Sequence, residues 1–291
     1  MKDIMAITPP TVLTFAATDP SSGAGLQADI LTLSSIGCYP LSVVTGITAQ
    51  DTVGVENVMP LDSDWINDQA RTILEDVQVT AFKLGLLGSV ENIAVIAEIV
   101  ADYPDIPLLI DPILTSGRGD DLASEEMMDA MAELLFPQAT LITPNSLEAR
   151  RFAYAEDSDE IHGSSLIESA HRLLELGSEY VLITGTHERS TDVVNSLYGA
   201  LPTGELGLIK DYHWERLPGS YHGSGCTLTS AIAACLAHGL TMEEAVQEAQ
   251  EYTWQTLKNG FRPGMGQHIP DRFFWAREEH DANEEPHSRQ H

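Results

Sequence analysis

Apolar residues recur along this chain in two alternating rhythms. Residues 11–17 form a continuous apolar run the length of one buried strand, and a polar, glycine-bearing loop over 18–25 follows it. Leu26, Ile30, Leu33 and Ile36 then fall at helical spacing, and Gly37 supplies a stop. The alternation continues, predicting strands at 41–48, 81–87, 107–114, 140–143 and 180–184. Helical spacing returns at about 64–77, 90–101, 124–135, 146–154 and 165–176. Residues 193–217 read instead as two or three antiparallel edge strands, with a turn at Pro202-Thr203-Gly204. Beyond them Leu228, Ile232 and Leu236 mark another helix. Thr241 and Glu244 form a capping box for the last long one, which Gly260 ends.

Strands alternating with helices at this spacing predict an α/β fold. Its central sheet is mostly parallel, covered by helices on both faces, with antiparallel strands at an edge. Ligands of such sheets gather at the carboxyl ends of the strands. Asp19, Gln50, Lys83, Asp111, Asn145, Thr184 and the 223–226 turn all lie at or just beyond predicted strand ends, so they are expected on one rim. No internal repeat or linker divides the chain. The expected organisation is a loose leader over 1–10, one domain over 11–275 and a polar, disordered tail over 276–291.

Composition narrows the class. No apolar run is long enough to span a bilayer, and the chain does not open on a charged-then-apolar signal. Three cysteines (Cys38, Cys226 and Cys235) show no metal-ligand spacing and suit a reducing cytosol. The expectation is a soluble cytoplasmic protein with no membrane partner. With 15 basic and 44 acidic residues the net charge is −29, which argues against a nucleic-acid partner. Any anionic ligand has to be held locally, by backbone amides, a divalent cation and a few basic groups. Charges farther off than about 8 Å are screened at physiological salt. The surplus acid suits solubility in a salty cytoplasm, although compositional drift explains it equally well.

The strongest candidate for chemistry is His222-Gly223-Ser224-Gly225-Cys226-Thr227. A glycine-rich turn feeding a helix leaves backbone N–H groups without intrahelical partners, and the helix dipole makes that spot attractive to phosphate. Cys226 falls in the same first turn, where the field favours a thiolate. An anion cradle beside an ionisable group is what phosphoryl transfer to an alcohol requires, although Gly-Ser-Gly also serves as a plain turn. Asp111 precedes a proline near one strand end, and Asn145 and Glu148 stand at the next. Together they suit magnesium held through water and phosphate oxygens. Alternatively, Asn145 and Glu148 simply cap a helix. Thr184-Gly185-Thr186-His187 could line a nucleotide, and Gln50 could read the polar edge of a heterocycle. A standard P-loop is absent. His222 with Cys226 also permits a thiol hydrolase, for which no orienting third group is evident.

Taken in order, these segments resemble a known family. Thr18-Asp19-Pro20-Ser21-Ser22-Gly23-Ala24-Gly25-Leu26-Gln27-Ala28-Asp29, Thr45-Gly46-Ile47-Thr48-Ala49-Gln50-Asp51-Thr52 and Lys83-Leu84-Gly85-Leu86-Leu87 carry the first half of the likeness. Asp111-Pro112, Thr143-Pro144-Asn145-x-x-Glu148 and the 222–226 turn carry the second. They resemble the hydroxymethylpyrimidine/phosphomethylpyrimidine kinases of thiamine biosynthesis, over about residues 11–270. The resemblance implies a three-layer α/β/α ribokinase-like fold, a homodimer, and ATP with Mg2+ for two successive phosphorylations. It implies that Gly223, Ser224 and Gly225 are the anion hole and Cys226 the base. Asp111, Asn145, Glu148 and Thr184 would meet Mg-ATP, the metal through Asp111 and Glu148. Asp19, Ala24, Gln50, Leu86 and Ile113 would line the pyrimidine site. Many members carry lysines where this chain has Ser116-Gly117-Arg118-Gly119 and Thr184-Gly185-Thr186-His187. Arg118 could replace the first by gripping phosphate from a shifted position; the second has no evident replacement. A pyridoxal kinase or a pyrimidine-binding regulator that has lost turnover would share the pattern. A sulfur sealed in the interior, or a 223–226 loop remote from Asp111 and Asn145, would count against the kinase reading.

Overall fold

A computed structural model describes residues 8–116, 118–154, 165–188 and 190–277. The first apolar run forms β1 (Thr11–Thr18), buried on both faces as far as Ala17. A strand so enclosed belongs inside a parallel sheet with helices above and below. The others are β2 (Tyr39–Gln50), β3 (Val55–Pro60), β4 (Ala81–Leu84), β5 (Leu108–Ile110), β6 (Leu141–Ile142), β7 (Tyr180–Ile183), β8 (Asp192–Ala200) and β9 (Leu206–Glu215). They make one sheet in the order β3-β2-β1-β4-β5-β6-β7-β8-β9. The pairs from β2 through β7 are parallel, and both edges are antiparallel, β3 on β2 and β8–β9 on β7.

Alternate strand residues point to opposite faces, so each face has its own core. Val12, Leu109, Leu141 and Leu182 pack under α1 (Gly25–Ser35), α7 (Ser224–Ala237) and α8 (Met242–Lys258). Leu13, Phe82, Ile110 and Ile142 pack under α2 (Ser63–Asp76), α3 (Val90–Ala101), α4 (Glu125–Ala130), α5 (Ser146–Ala153) and α6 (Leu166–Glu175). Three layers result. Among the described residues no helix is long and apolar enough to cross a membrane.

Several boundaries differ from the sequence reading. Strand β3 was not expected, since Val55-Glu56-Asn57-Val58-Met59-Pro60 lacks a buried face; as an edge strand it needs little burial. β5 stops at Ile110 because Pro112 cannot donate to a ladder. The helix expected over 124–135 is only α4 at first, then a π-helical turn (Met131–Leu135) and a 3-10 turn (Phe136–Gln138) around Pro137. Residues 274–277 form a short helical segment, so the described part of the expected tail is helical rather than disordered. Its remainder from 278 onward, and residues 1–7 of the expected leader, lie outside the described residues.

The order of strands reverses around β1, which has β2 on one side and β4 on the other. The loops leaving β1, β4 and β5 diverge at this point, and a cleft opens beyond their carboxyl ends.

Candidate active site

The cleft holds about 460 Å³ and is built on two helix starts. Gly223 caps α7 in a left-handed conformation (φ 82°, ψ 18°), with no side chain closing the turn. A Cβ at Gly223 would fall 1.9 Å from the Gly23 carbonyl oxygen, so only glycine lets the two loops touch. The N–H groups of Ser224, Gly225 and Cys226 therefore begin a helix without intrahelical acceptors. Helix α1 starts at Gly25 on the neighbouring loop (φ 58°). Asp19, Ala24, Gln50, Leu86, Ile113, Asp111, Asn145, Glu148 and Thr184 line the same cleft as the 223–226 turn. Apart from Lys83, the rim predicted from the strand ends is thus one surface.

Asp111 and Glu148 form its acidic floor. Asn145 caps α5 by accepting from the Leu147 and Glu148 N–H groups, and Glu148 returns a bond to the Asn145 N–H, a full capping box. Glu148 also accepts from the Leu114 N–H at 3.2 Å. The capping alternative is therefore realised, and the same carboxyl faces Asp111. Burial, then the Asp111 charge, push Glu148 up to about 8. Asp111 is raised as well by burial, against the pull of Lys83, and its buried Oδ2 has no hydrogen-bond partner. Two crowded carboxyls with an orphan oxygen fit a divalent cation. Among the described residues no group of three or more His, Cys, Asp or Glu could hold a metal, so phosphate and water oxygens would have to complete the shell.

Cys226 departs from expectation. The residue lines the cleft but is buried, 5 % exposed. The loop also lies beside Asp111: a Cβ on Gly225 would be 3.6 Å from Asp111 Oδ1. Yet the thiol pKa is pushed up, not down, by burial and then by the Asp111 carboxylate. Lys83 and the Gly25 N–H pull the other way without prevailing. The helix terminus thus does not produce a resting thiolate; the thiol lies beside the Asp111 carboxylate instead.

Arg118 is not brought to the cleft. It is half-exposed, forks onto Asp120 at 2.8–3.1 Å and packs over Gly54. A short-range carboxylate two residues away captures it. Asp19 reaches the cleft but is largely occupied by its own loop. Its carboxylate accepts from the Ser21 and Ala24 N–H groups (both 2.7 Å) and lies 2.8 Å from His222 Nε2. Gln50 Nε2 is 3.1 Å from the same ring nitrogen.

Burial would raise the Asp19 pKa, but its bonds to His222, Ala24 and Ser21 lower it from 3.8 to about 2. The folded state therefore binds fewer protons here than the unfolded chain. The stabilisation is complete above about pH 4 and is lost as pH falls through about 2, roughly 1–2 kcal/mol in all. Denaturant melts of wild type and Asp19→Asn from pH 5 to 2 should converge toward the acid end. Curves that stay parallel would show that the carboxylate charge contributes nothing.

Lys83, expected on the rim, is not among the residues that line the cleft, and two further cations, Arg216 and Arg272, were not singled out from the sequence. Lys83 is fully buried beneath the cleft, 2.9 Å from Asp29, which also accepts from Thr14 and Ser230. Arg216 leaves β9 and lines the cleft, its guanidinium donating to the Thr186, Glu188 and Ser190 carbonyls. It stands at the segment where the resemblance led us to expect a lysine, but it arrives from an antiparallel strand with no local sequence cue. Arg272 reaches the back of the cradle from beyond α8.

A glycine-capped helix start, two facing carboxyls and an open pocket at the switch of an α/β/α sheet are what a phosphotransferase acting on a small alcohol needs. Residues 19–271 match the phosphomethylpyrimidine kinase family model. The chain is 35 % identical to a hydroxymethylpyrimidine/phosphomethylpyrimidine kinase of Mycobacterium bovis, over 89 % of this chain and 92 % of that one. The fold is similar to a phosphomethylpyrimidine kinase of Clostridium difficile (TM-score 0.69, 33 % identity, 85 % and 99 % of the two chains). It is also similar to a pyridoxal kinase of Bacillus subtilis in an ADP complex (TM-score 0.78, 29 % identity, 92 % and 99 %). The chain belongs to the phosphomethylpyrimidine kinase family and has its ribokinase-like fold.

Proposed function

We propose that this kinase phosphorylates 4-amino-5-hydroxymethyl-2-methylpyrimidine with ATP and then phosphorylates the monophosphate, as a soluble cytoplasmic enzyme of one domain over 11–275. The observation that carries the reading is the placement of the 223–226 turn beside Asp111 in one cleft, where a Cβ on Gly225 would stand 3.6 Å from Asp111 Oδ1. The heterocycle lies between Ala24, Leu86 and Ile113, with Gln50 at its polar edge. The triphosphate runs from the cradle past Asn145 toward Thr184 and Arg216.

Cradle amides meet the charge that develops on the transferring phosphoryl group. The hydroxymethyl oxygen bonds to the γ-phosphorus as the bond to ADP breaks. Because the resting thiol is protonated and faces Asp111, Sγ takes the alcohol proton while its own proton passes to that carboxylate. Asp111 and Glu148 would also hold Mg2+, which, when bound, neutralises phosphate charge.

A second reading, pyridoxal as acceptor, is favoured by the likeness to the Bacillus subtilis pyridoxal kinase. ADP release measured with hydroxymethylpyrimidine, its monophosphate and pyridoxal separates the two. Higher kcat/KM on both pyrimidines supports the proposal, and a preference for pyridoxal overturns it. Tight binding without ADP release would mark a regulator instead.

The expected assembly is a homodimer through the β2–β3 edge. Ile47 and Met59 face each other across that pair, 46 % and 56 % exposed, with Trp65 66 % exposed nearby in sequence. An apolar edge of this kind is seldom left to water. Met59→Lys should halve the mass seen in sedimentation. A wild-type monomer would refute the assembly.

A further inference from the structure

Arg272 is a buried cation that serves no part of the fold except the two loops that meet over the reaction. It is 3 % exposed, its guanidinium bonds the 22–23 loop and Thr227 in the first turn of α7, and among the described residues no carboxylate lies within ion-pair distance of it. Its Nη2 donates to the Gly23 carbonyl at 2.6 Å and its Nη1 to the Ser22 carbonyl at 3.3 Å, both on the acceptor loop. Nε and Nη2 also donate to Thr227 Oγ1, at 3.1 and 2.9 Å. That hydroxyl in turn donates to the Gly223 carbonyl at 2.8 Å. One planar fork therefore fixes Gly23 directly and Gly223 through one hydroxyl, the two residues whose backbones touch. Its own backbone is anchored, the Arg272 carbonyl accepting from Ser35 Oγ and Tyr252 Oη at 2.5 and 2.9 Å.

We propose that Arg272 is a positioning residue for the transfer: it holds the acceptor loop and the anion cradle in one register, with its charge one helical turn behind the cradle. This rests on the cradle role of Gly223–Gly225. Guanidinium geometry matters more than charge here, because an ammonium group cannot present the same flat array of donors to Gly23 and Thr227. Misplacement of reacting groups by about 1 Å can cost 10²-fold in rate. A loosened register also lets water compete with the alcohol for the γ-phosphoryl group.

The test uses the full chain, with turnover expressed per folded molecule, folding being followed by circular dichroism melts. Arg272→Lys is expected to lower kcat by about tenfold and Arg272→Met by about a hundredfold, with KM for ATP within about twofold of wild type. ADP release should exceed phosphorylated alcohol in both. If Arg272→Met does not fold, Thr227→Val removes the same link while leaving the arginine in place. It should lower kcat alone, and combined with Arg272→Lys it should add less than the sum of the two losses. Wild-type kcat and one-to-one coupling in folded Arg272→Lys and Thr227→Val would overturn the proposal, leaving Arg272 a stability residue. A Gly223→Ala enzyme that keeps its turnover would instead overturn the cradle reading itself.

Discussion

Gly223→Ala is expected to transfer phosphate at least about a thousandfold more slowly than wild type. Two effects combine. Alanine is disfavoured at φ 82°, and its Cβ would need the space 1.9 Å from the Gly23 carbonyl oxygen, which is backbone and cannot rotate away. The first turn of α7 must therefore swing off the acceptor loop, carrying its amides with it. Losing a single such donor typically costs 10²–10³ in rate, and here the whole cradle is displaced. Stability should fall by about 1–3 kcal/mol, within reach of a folded protein. Single-turnover transfer together with a thermal melt checks both parts. A folded variant with more than about a tenth of wild-type turnover would remove the cradle from the mechanism.

Cys226→Ala is the second large effect, and it should divide the two reactions. The alcohol acceptor must lose a proton to become a phosphate ester, and a positioned base contributes about 10²–10⁴ to such a step. The monophosphate acceptor is already anionic and needs little help. Loss of Sγ also breaks the path to Asp111, so serine at this position should restore only part of the first step. We expect the first phosphorylation to fall by about 10²-fold or more and the second by less than about tenfold. Rapid-quench measurement of each step on purified acceptor distinguishes them. Equal losses would assign Cys226 a packing role.

The fold was legible wherever apolar spacing was decisive. β1, α1, α2, α3, α6 and the capped α8 lie within two residues of their expected places, because their periodicity and end signals agree. Strand β3 was not legible, since an exposed edge leaves no alternation to read. The rim was legible for a topological reason: each polar candidate directly follows an apolar run, and parallel strands bring such positions together. Electrostatics was less accessible. A helix start argues for a low cysteine pKa, but what decides at Cys226 is burial and the Asp111 carboxylate just beyond β5, more than a hundred residues earlier in the chain. Arg118 failed for the opposite reason, being captured by Asp120 within its own turn. Arg216 and Arg272 reach this cleft only through tertiary placement, and no spacing rule marks them; Lys83, expected on the rim, lies within β4 and is buried beneath it.

The bare contact between Gly23 and Gly223 also limits how the enzyme can diversify. No side chain can enter that seam from either partner, because His222 already covers Gly23 and Gly23 itself covers Gly223. On the proposed reading, descendants that accept a wider or differently decorated ring would remodel the wall around Leu86 and Ile113. Change between vitamin precursors is thereby confined to one side of the pocket, while the side that handles phosphorus stays fixed.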